Sequence, residues 1–362
     1  MRQKFINYLI DPISSKKFEV NIFEESSGHI SSGIIFNDES WYPIINGIPR
    51  ILVKELKTNL LQSHYEFYKK FKEKMSEKVS KDWKGEIDKI QNLNKFLDHQ
   101  KKTAESFAYE WNNIYKENDF EKNNFLHFLS PFIKEEDLKG RMTLDIGCGS
   151  GRFTKQAALC GTKISFGTDL GESVELAYKL TKNLENICIV QADIYSMPFK
   201  NQFDIAYSIG VLHHLPRPQE GFSLLSKVLK PEGKMLIWVY NRRNNKRALY
   251  FYEPLRSVFK GIPQPLLYKL CYIPGGIVHL LNYSTHFCNF IGAEKLAKKM
   301  PFAYYANFPF NMKLNDAFDV LATPKSNYYY REQIEKWFSD ANLREIKAFE
   351  HPEAGITCVG EK

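Results

Sequence analysis

The chain has 362 residues, 43% hydrophobic and 25% charged, which is long enough for two domains and ordinary for a soluble protein. Its net charge of +8 permits an acidic partner but does not demand nucleic acid. The six cysteines, Cys148, Cys160, Cys188, Cys271, Cys288 and Cys358, make no C-x-x-C pair and fall partly inside predicted elements, so they read as reduced thiols of a cytoplasmic protein.

The amino end is punctuated by Asp11-Pro12 and holds no long apolar core, so it does not read as a signal peptide. Strands are predicted at 18–22, 33–36 and 41–49, with Asn46-Gly47 a tight-turn signal between two apolar runs. From about Lys54 to Lys102 a Lys/Glu-rich stretch carries Leu60, Leu61, Tyr65, Phe67, Tyr68 and Phe71. It predicts one or two amphipathic helices between domains, with the lysines on a solvated face.

The core begins at the strand Met142-Thr143-Leu144 and its terminal acid, Asp145. Alternating glycines Gly147, Gly149 and Gly151 follow, then a helix from Arg152 to Cys160. Glycines so spaced let the backbone turn tightly and admit a ligand at a helix amino end. A dinucleotide site would place its third glycine at position 152, which is Arg152 here. Asp145 instead suits a ligand with an α-amino group, whose carboxylate the loop N–H groups would take. S-adenosylmethionine has that head group.

A strand over 163–168 ends at Asp169, about twenty residues on, where an acid caps a ribose diol. A helix over 173–183 and a strand over 187–191 lead to Asp193 and Ile194, which suit an adenine amine and ring face. A strand over 203–208 runs into Ile209-Gly210-Val211-Leu212-His213-His214-Leu215, and a last parallel strand spans 234–240. The alternation predicts an α/β, Rossmann-like doubly wound sheet, mostly parallel.

These motifs, L-D-I-G-C-G-S-G, D-L, A-D-I-Y-S-M-P-F, F-D-I-A-Y-S-I-G-V-L-H-H-L and L-K-P-E-G-K, resemble class I S-adenosylmethionine-dependent methyltransferases of the ubiquinone/menaquinone-like, small-molecule branch. The resemblance covers about 142–240. It implies cofactor contacts at Asp145, Gly147, Cys148, Gly149, Gly151, Asp169, Leu170, Asp193, Ile194, Ser208 and Gly210. It also implies that the F-x-x-E-W segment 107–111 lies over the pocket, with Tyr109 and Trp111 as covers or as packing. Residues 1–55 resemble the small zinc-ribbon module fused to or partnering some methyltransferases, through I-D-P-I-S and W-Y-P-I-I-N-G-I-P-R-I-L. Asp11 and Ser14 stand where the first cysteine pair would be, no cysteine precedes Cys148, and His29 is the sole histidine there. The expectation is a small β-rich module with no metal.

After Tyr240 the chain departs from a minimal methyltransferase. A helical insertion over about 241–325 opens on the basic run Arg242 to Arg247 and reads as a cap beside the cofactor mouth. Prolines and glycines interrupt 262–283, so no uninterrupted span is predicted. Leu266–Leu281 reads as cap packing, with peripheral membrane contact as the alternative for a lipid-linked acceptor. A helix over 331–342 and strands over 344–349 and 355–360 resemble the family's reversed terminal hairpin.

The expected division is 1–55 ribbon-like module, 56–104 helical linker and 105–362 methyltransferase domain. His213 and His214 are the candidate bases, His214 alternatively a loop-orienting group; Asp319 and Tyr328 are candidate acceptor contacts, or loop packing. Cys148 reads as a space-filler. The reading is methyl transfer to an O or N atom of a small molecule, glycan or lipid precursor. The alternatives are a non-catalytic S-adenosylmethionine-binding partner subunit and an RNA methyltransferase. Ser208-Ile209-Gly210-Val211 in place of an N-P-P-Y-type tetrapeptide weighs against nucleic acid.

Overall fold

The structure, a computed structural model, describes all residues except 90–94, 114–119, 246–255, 257, 260, 324–325 and 353–354. Lys246 and Arg247 of the basic run, and Lys325 at the expected end of the cap, lie outside the described residues.

Among the described residues eleven strands form one sheet. They are β1 (Glu19–Ser26), β2 (His29–Phe36), β3 (Trp41–Ile45), β4 (Ile48–Ile51), β5 (Met142–Ile146), β6 (Ile164–Asp169), β7 (Ile187–Ala192), β8 (Phe203–Ile209), β9 (Leu229–Tyr240), β10 (Arg344–Glu350) and β11 (Gly355–Glu361). Their order is β1-β2-β3-β4-β7-β6-β5-β8-β9-β11-β10. The run from β4 to β9 is parallel, β11 lies antiparallel between β9 and β10, and β1 to β4 form an antiparallel meander. Central strands such as Met142–Ile146 and Ile187–Ala192 are buried throughout, as strands covered on both faces must be.

The amino-terminal module therefore extends the main sheet, through Arg50 opposite Gln191 and Ile51 opposite Ala192. Arg50 is fully buried, donates to Gln191 Oε1 at 2.9 Å and pairs with Glu172 and Glu175. The segment is needed on the sheet face too. The connection 193–202 between β7 and β8 has no helix to cover the strands. The 3-10 turn Gln3–Tyr8 takes that place: Phe5 and Tyr8 each meet Phe166 edge-on at 5.8 Å, and Gln202 Nε2 donates to Tyr8 O at 2.8 Å.

At residues 11–14 a carboxylate organises the turn. Asp11 accepts from Ser14 Oγ at 2.6 Å and Tyr42 Oη at 2.9 Å. Burial opposes its charge, but the hydrogen bonds from Ser14 and Tyr42 outweigh that and hold its pKa below the ordinary value. Among the described residues no group of three or more His, Cys, Asp and Glu is placed to hold a metal.

The helices are α1 (Lys54–Ser63), α2 (Tyr65–Phe71), α3 (Glu77–Ile87), α4 (Lys95–Asn113), α5 (Glu121–Leu129), α6 (Glu135–Leu138), α7 (Arg152–Leu159), α8 (Ser173–Thr181), α9 (Pro218–Leu225), α10 (Gln264–Leu270), α11 (Tyr272–Phe290), α12 (Glu294–Ala297), α13 (Phe310–Ala322) and α14 (Arg331–Asp340). Helices α1 to α3 pack on the amino-terminal strands through Leu61, Phe71 and Trp83, with Trp83 stacked on Trp41 at 5.5 Å. The expected boundary at 104/105 falls inside α4, which is continuous.

Most of 264–322 is helical. The stretch 262–283 is interrupted at Cys271, between α10 and the 19-residue α11, which accommodates Pro274 because it lies in the first turn, where the missing N–H has no intrahelical partner to lose. Helices α10 and α13 close over Leu267, Cys271, Leu314 and Phe318, with Tyr109 of α4 against them. Among the described residues no helix is long and apolar enough to cross a membrane. All six cysteines are buried free thiols.

Candidate active site

A pocket opens where β5, β6, β7 and β8 end. The β5 loop contributes Gly147 and Gly149, the end of β6 Asp169 and Leu170, and the end of β7 Asp193 and Ile194. Gly210, Val211 and His214 follow β8. The remaining wall is α4, through Gln100, Thr103, Ala104, Phe107 and Trp111.

The glycine loop is held against β6. Gly147 and Cys148 N–H both donate to Thr168 O, at 2.7 and 2.9 Å, and Gly149 N–H donates to Asp169 Oδ2 at 2.9 Å. These three N–H groups, expected to receive a ligand carboxylate, are engaged by the strand beside them. The turn requires left-handed backbone at Gly147 (φ 76°) and Gly149 (φ 54°). A Cβ at Gly149 would lie 2.7 Å from Trp111 Nε1, so the indole closes directly over the loop. The Arg152 guanidinium sits over the same indole, 4.9 Å from the ring centre.

Three carboxylates differ in situation. Asp145 does not line the pocket: it is buried beneath the loop, accepts from Thr154 Oγ1 at 2.7 Å, and burial pushes its pKa up to about 7. Asp169 lines the pocket while accepting from Gly149 and Gly171 N–H at 2.9 Å each, and burial raises its pKa. Asp193 lines the pocket and accepts from Gln100 Nε2 at 2.5 Å and Tyr195 N–H at 3.2 Å; burial raises its pKa to about 6. Gln100 Oε1 is buried without a hydrogen-bond partner.

Leu170, Ile194 and Gly210 line the pocket as expected contacts, whereas Cys148, Gly151 and Ser208 support it from behind. Ser208 Oγ donates to Ile146 O at 3.0 Å, tying β8 to β5. Cys148 is buried, and burial raises its thiol pKa well above the ordinary value.

The two histidines separate. His214 lines the pocket, its ring 5.0 Å from Phe107 and its Nδ1 3.3 Å from Ser326 Oγ. His213 does not line it; it is fully buried, 3.9 Å from the Tyr240 ring, and neither ring nitrogen has a hydrogen-bond partner. Burial, then the charge of His214, holds the His213 pKa well below the ordinary value.

Tyr109 and Trp111 also part company, because residues two apart on a helix do not share a face. Trp111 lines the pocket, and Tyr109 packs on Phe318. Tyr328 stacks on Tyr240 at 5.5 Å, and Asp319 accepts from Thr323 Oγ1 at 2.7 Å, so neither is among the lining groups. Near them Glu110 is buried and accepts from Asn315 Nδ2 at 2.6 Å; burial raises its pKa well above the ordinary carboxylate value, and Asp319 adds to the shift. Phe107, the first residue of the segment expected over the pocket, lines it, and Gln100, Thr103 and Ala104 join it without having been singled out from the sequence.

Residues 144–237 match the sequence family described as a methyltransferase domain. Over 115 residues the chain is 32% identical to the tRNA U34 carboxymethyltransferase of Ruthia magnifica subsp. Calyptogena magnifica, covering 31% of this chain and 36% of that protein. Over 147 residues it is 31% identical to the ubiquinone biosynthesis O-methyltransferase of Coxiella burnetii, covering 38% of this chain and 62% of that protein. The chain thus spans less than two thirds of the length of these curated relatives. The solved magnesium protoporphyrin IX methyltransferase from Synechocystis PCC 6803, with bound SAH, aligns over 74% of this chain and 100% of that one, at 11% identity and a TM-score of 0.44.

Proposed function

We propose that the chain is an S-adenosylmethionine-dependent methyltransferase acting on an O or N atom of a small molecule, glycan or lipid precursor. The observation that carries this reading is the pocket itself, in which Asp169 and Asp193, from strands within the segment that matches a methyltransferase domain, converge with Gln100 of α4 beside a left-handed glycine loop.

The residues fit the cofactor. A carboxylate offers about four acceptor positions, so Asp169 keeps capacity for a ribose diol after taking two backbone N–H groups. Asp193 and the unpartnered Gln100 Oε1 suit the exocyclic amine of adenine, with Leu170 and Ile194 for its ring faces. When bound, the cofactor supplies an electrophilic methyl group on a sulfonium. The chain's contribution is positioning, exclusion of water by Phe107 and Trp111, and removal of a proton from a hydroxyl acceptor. His214 is the proposed base, with its ring oriented by Ser326. His213 stays neutral and packs against Tyr240 away from the pocket.

Methylation of RNA is the second reading, favoured by the identity shared with a protein named for tRNA U34. Calorimetric titration of the full chain with S-adenosylhomocysteine tests the cofactor site. Micromolar binding, weakened at least about tenfold by Asp193→Ala, is expected; no binding by folded protein refutes the reading. Transfer of labelled methyl groups to tRNA, with none to a small-molecule and lipid extract, would select the RNA acceptor.

A further inference from the structure

We propose that the outer face of α11 docks the protein onto the surface of an anionic lipid bilayer. The proposal stands apart from the identity of the methyl acceptor.

Helix α11 has its polarity inverted. Between Tyr272 and Phe290 there is no Asp, Glu, Lys or Arg. The residues turned inward are small or polar: Gly275, Asn282, Thr285 and Cys288, with Asn282 Nδ2 donating to Phe302 O at 2.7 Å. Those turned outward are large and apolar: Ile273 is 65% exposed, Leu280 67%, Phe287 62% and Phe290 87%, with Ile277 and Tyr283 beside them. The hydrophobic effect drives such side chains out of water, so a face like this is built to be covered.

Width and charge indicate the cover. At 100° per residue the six outward positions spread over roughly 140° of the helix, wider than the a/d seam through which one helix grips another. The cap segment 241–325 contains twelve Lys and Arg against four Asp and Glu, so it holds the whole +8 excess and the rest of the chain is neutral. Exposed cations flank the helix at both ends, Lys269 before it and Lys295, Lys298 and Lys299 after it, while its apolar face carries none. An apolar face framed by lysines matches the two layers of an anionic membrane interface, acyl chains beneath and negative head groups beside. It suits a second copy of the chain poorly, since antiparallel pairing of α11 would set Lys269 against the partner's lysine cluster. It suits nucleic acid poorly as well, because the cations lie off the exposed face. The helix lies on the bilayer and does not cross it. Docking brings the pocket wall close, since α11 packs on α13, and α13 on α4, which carries Phe107 and Trp111.

Sedimentation of the full chain with vesicles tests this. It is expected to pellet with vesicles of equal parts phosphatidylcholine and phosphatidylglycerol, to stay in solution with phosphatidylcholine alone, and to be released as salt rises. The Leu280→Ser/Phe287→Ser variant is expected to lose at least tenfold in partitioning, with unchanged S-adenosylhomocysteine affinity and urea midpoint, because both side chains already face solvent. Lys298→Ser/Lys299→Ser is expected to lose severalfold with anionic vesicles. The proposal is overturned if the chain stays in solution with anionic vesicles, or if the serine variants pellet as the parent does. A dimer seen by light scattering and dissolved by Leu280→Ser/Phe287→Ser, without vesicle binding, also overturns it and assigns the face to a second copy.

Discussion

Replacing Gly147 by alanine perturbs the turn that shapes the pocket, and the structure separates its cost into two parts. The backbone part comes from φ of 76°, which costs an L-residue about 1–2 kcal/mol. The steric part comes from Val211, whose Cγ1 would lie 2.7 Å from the new Cβ; overpacking of that kind costs about 1–3 kcal/mol. Gly147→Ala should therefore lose about 2–5 kcal/mol of stability, and S-adenosylhomocysteine affinity with it. Val211→Ala alone, at a half-buried position, should lose about 1 kcal/mol. In the double variant the steric part disappears and the backbone part remains, so the two substitutions should couple favourably by at least about 1 kcal/mol. Urea unfolding of the four proteins measures that coupling, with a titration of each for the site. Additivity within about 0.5 kcal/mol would refute the assignment of the loop's shape to this contact.

His214→Ala is expected to lower kcat by about 10²–10⁴-fold on a hydroxyl acceptor, the range of general base catalysis, and to alter the pH profile. His213→Leu should leave that profile in place; equal losses in the two variants would remove the distinction drawn between the rings. Stability should also depend on Asp145. Its carboxyl is protonated in the folded chain up to about pH 7 and in the unfolded chain only to about 3.8, so its contribution is full below pH 3.8 and lost as pH rises to 7. The loss is up to about 4 kcal/mol, and Asp145→Asn should flatten this part of the curve when urea midpoints are compared from pH 4 to 8.

The central sheet was legible because its signals are local. Strands 163–168, 187–191 and 203–208 agree within a residue or two with β6, β7 and β8, since apolar runs between turn residues need no distant partner to be recognised. The pairing of Ile51 with Ala192 could not be read that way. It depends on which sheet edge is left open by strands more than a hundred residues away, and no pattern within 48–51 encodes it. The site divides similarly. Asp169, Asp193 and the glycines follow from spacing along strands, but Asp145 faces Thr154 in place of the pocket, a matter of side-chain direction. The α4 wall did leave a signal: Gln100, Ala104, Phe107 and Trp111 recur at four, three and four residues, one helix face. The 107–111 part of that face was expected over the pocket, whereas Gln100 and Ala104 lie in and just after the Lys/Glu-rich stretch, whose charges obscure the pocket-facing positions. For α11 the apolar positions were visible, and their inversion was not, because outward and inward faces look alike until neighbours are placed.

The single continuous sheet has a consequence for how the molecule meets others of its kind. A sheet of parallel strands ending at β7 would present a flat, unpaired row of backbone donors and acceptors, an open template for strand addition. The amino-terminal meander moves that margin four strands outward, to β1. There the chain carries Glu19, Glu24 and Glu25, and its register with β2 slips between Ile22 and Glu25. The opposite margin, β10, carries Arg344, Glu345 and Lys347, and its register slips between Arg344 and Lys347. Both margins thus pair charge with irregular backbone, the combination that discourages edge-to-edge growth and amyloid-like stacking. Protection of this kind leaves crowded copies free to gather on a shared surface without knitting their sheets together.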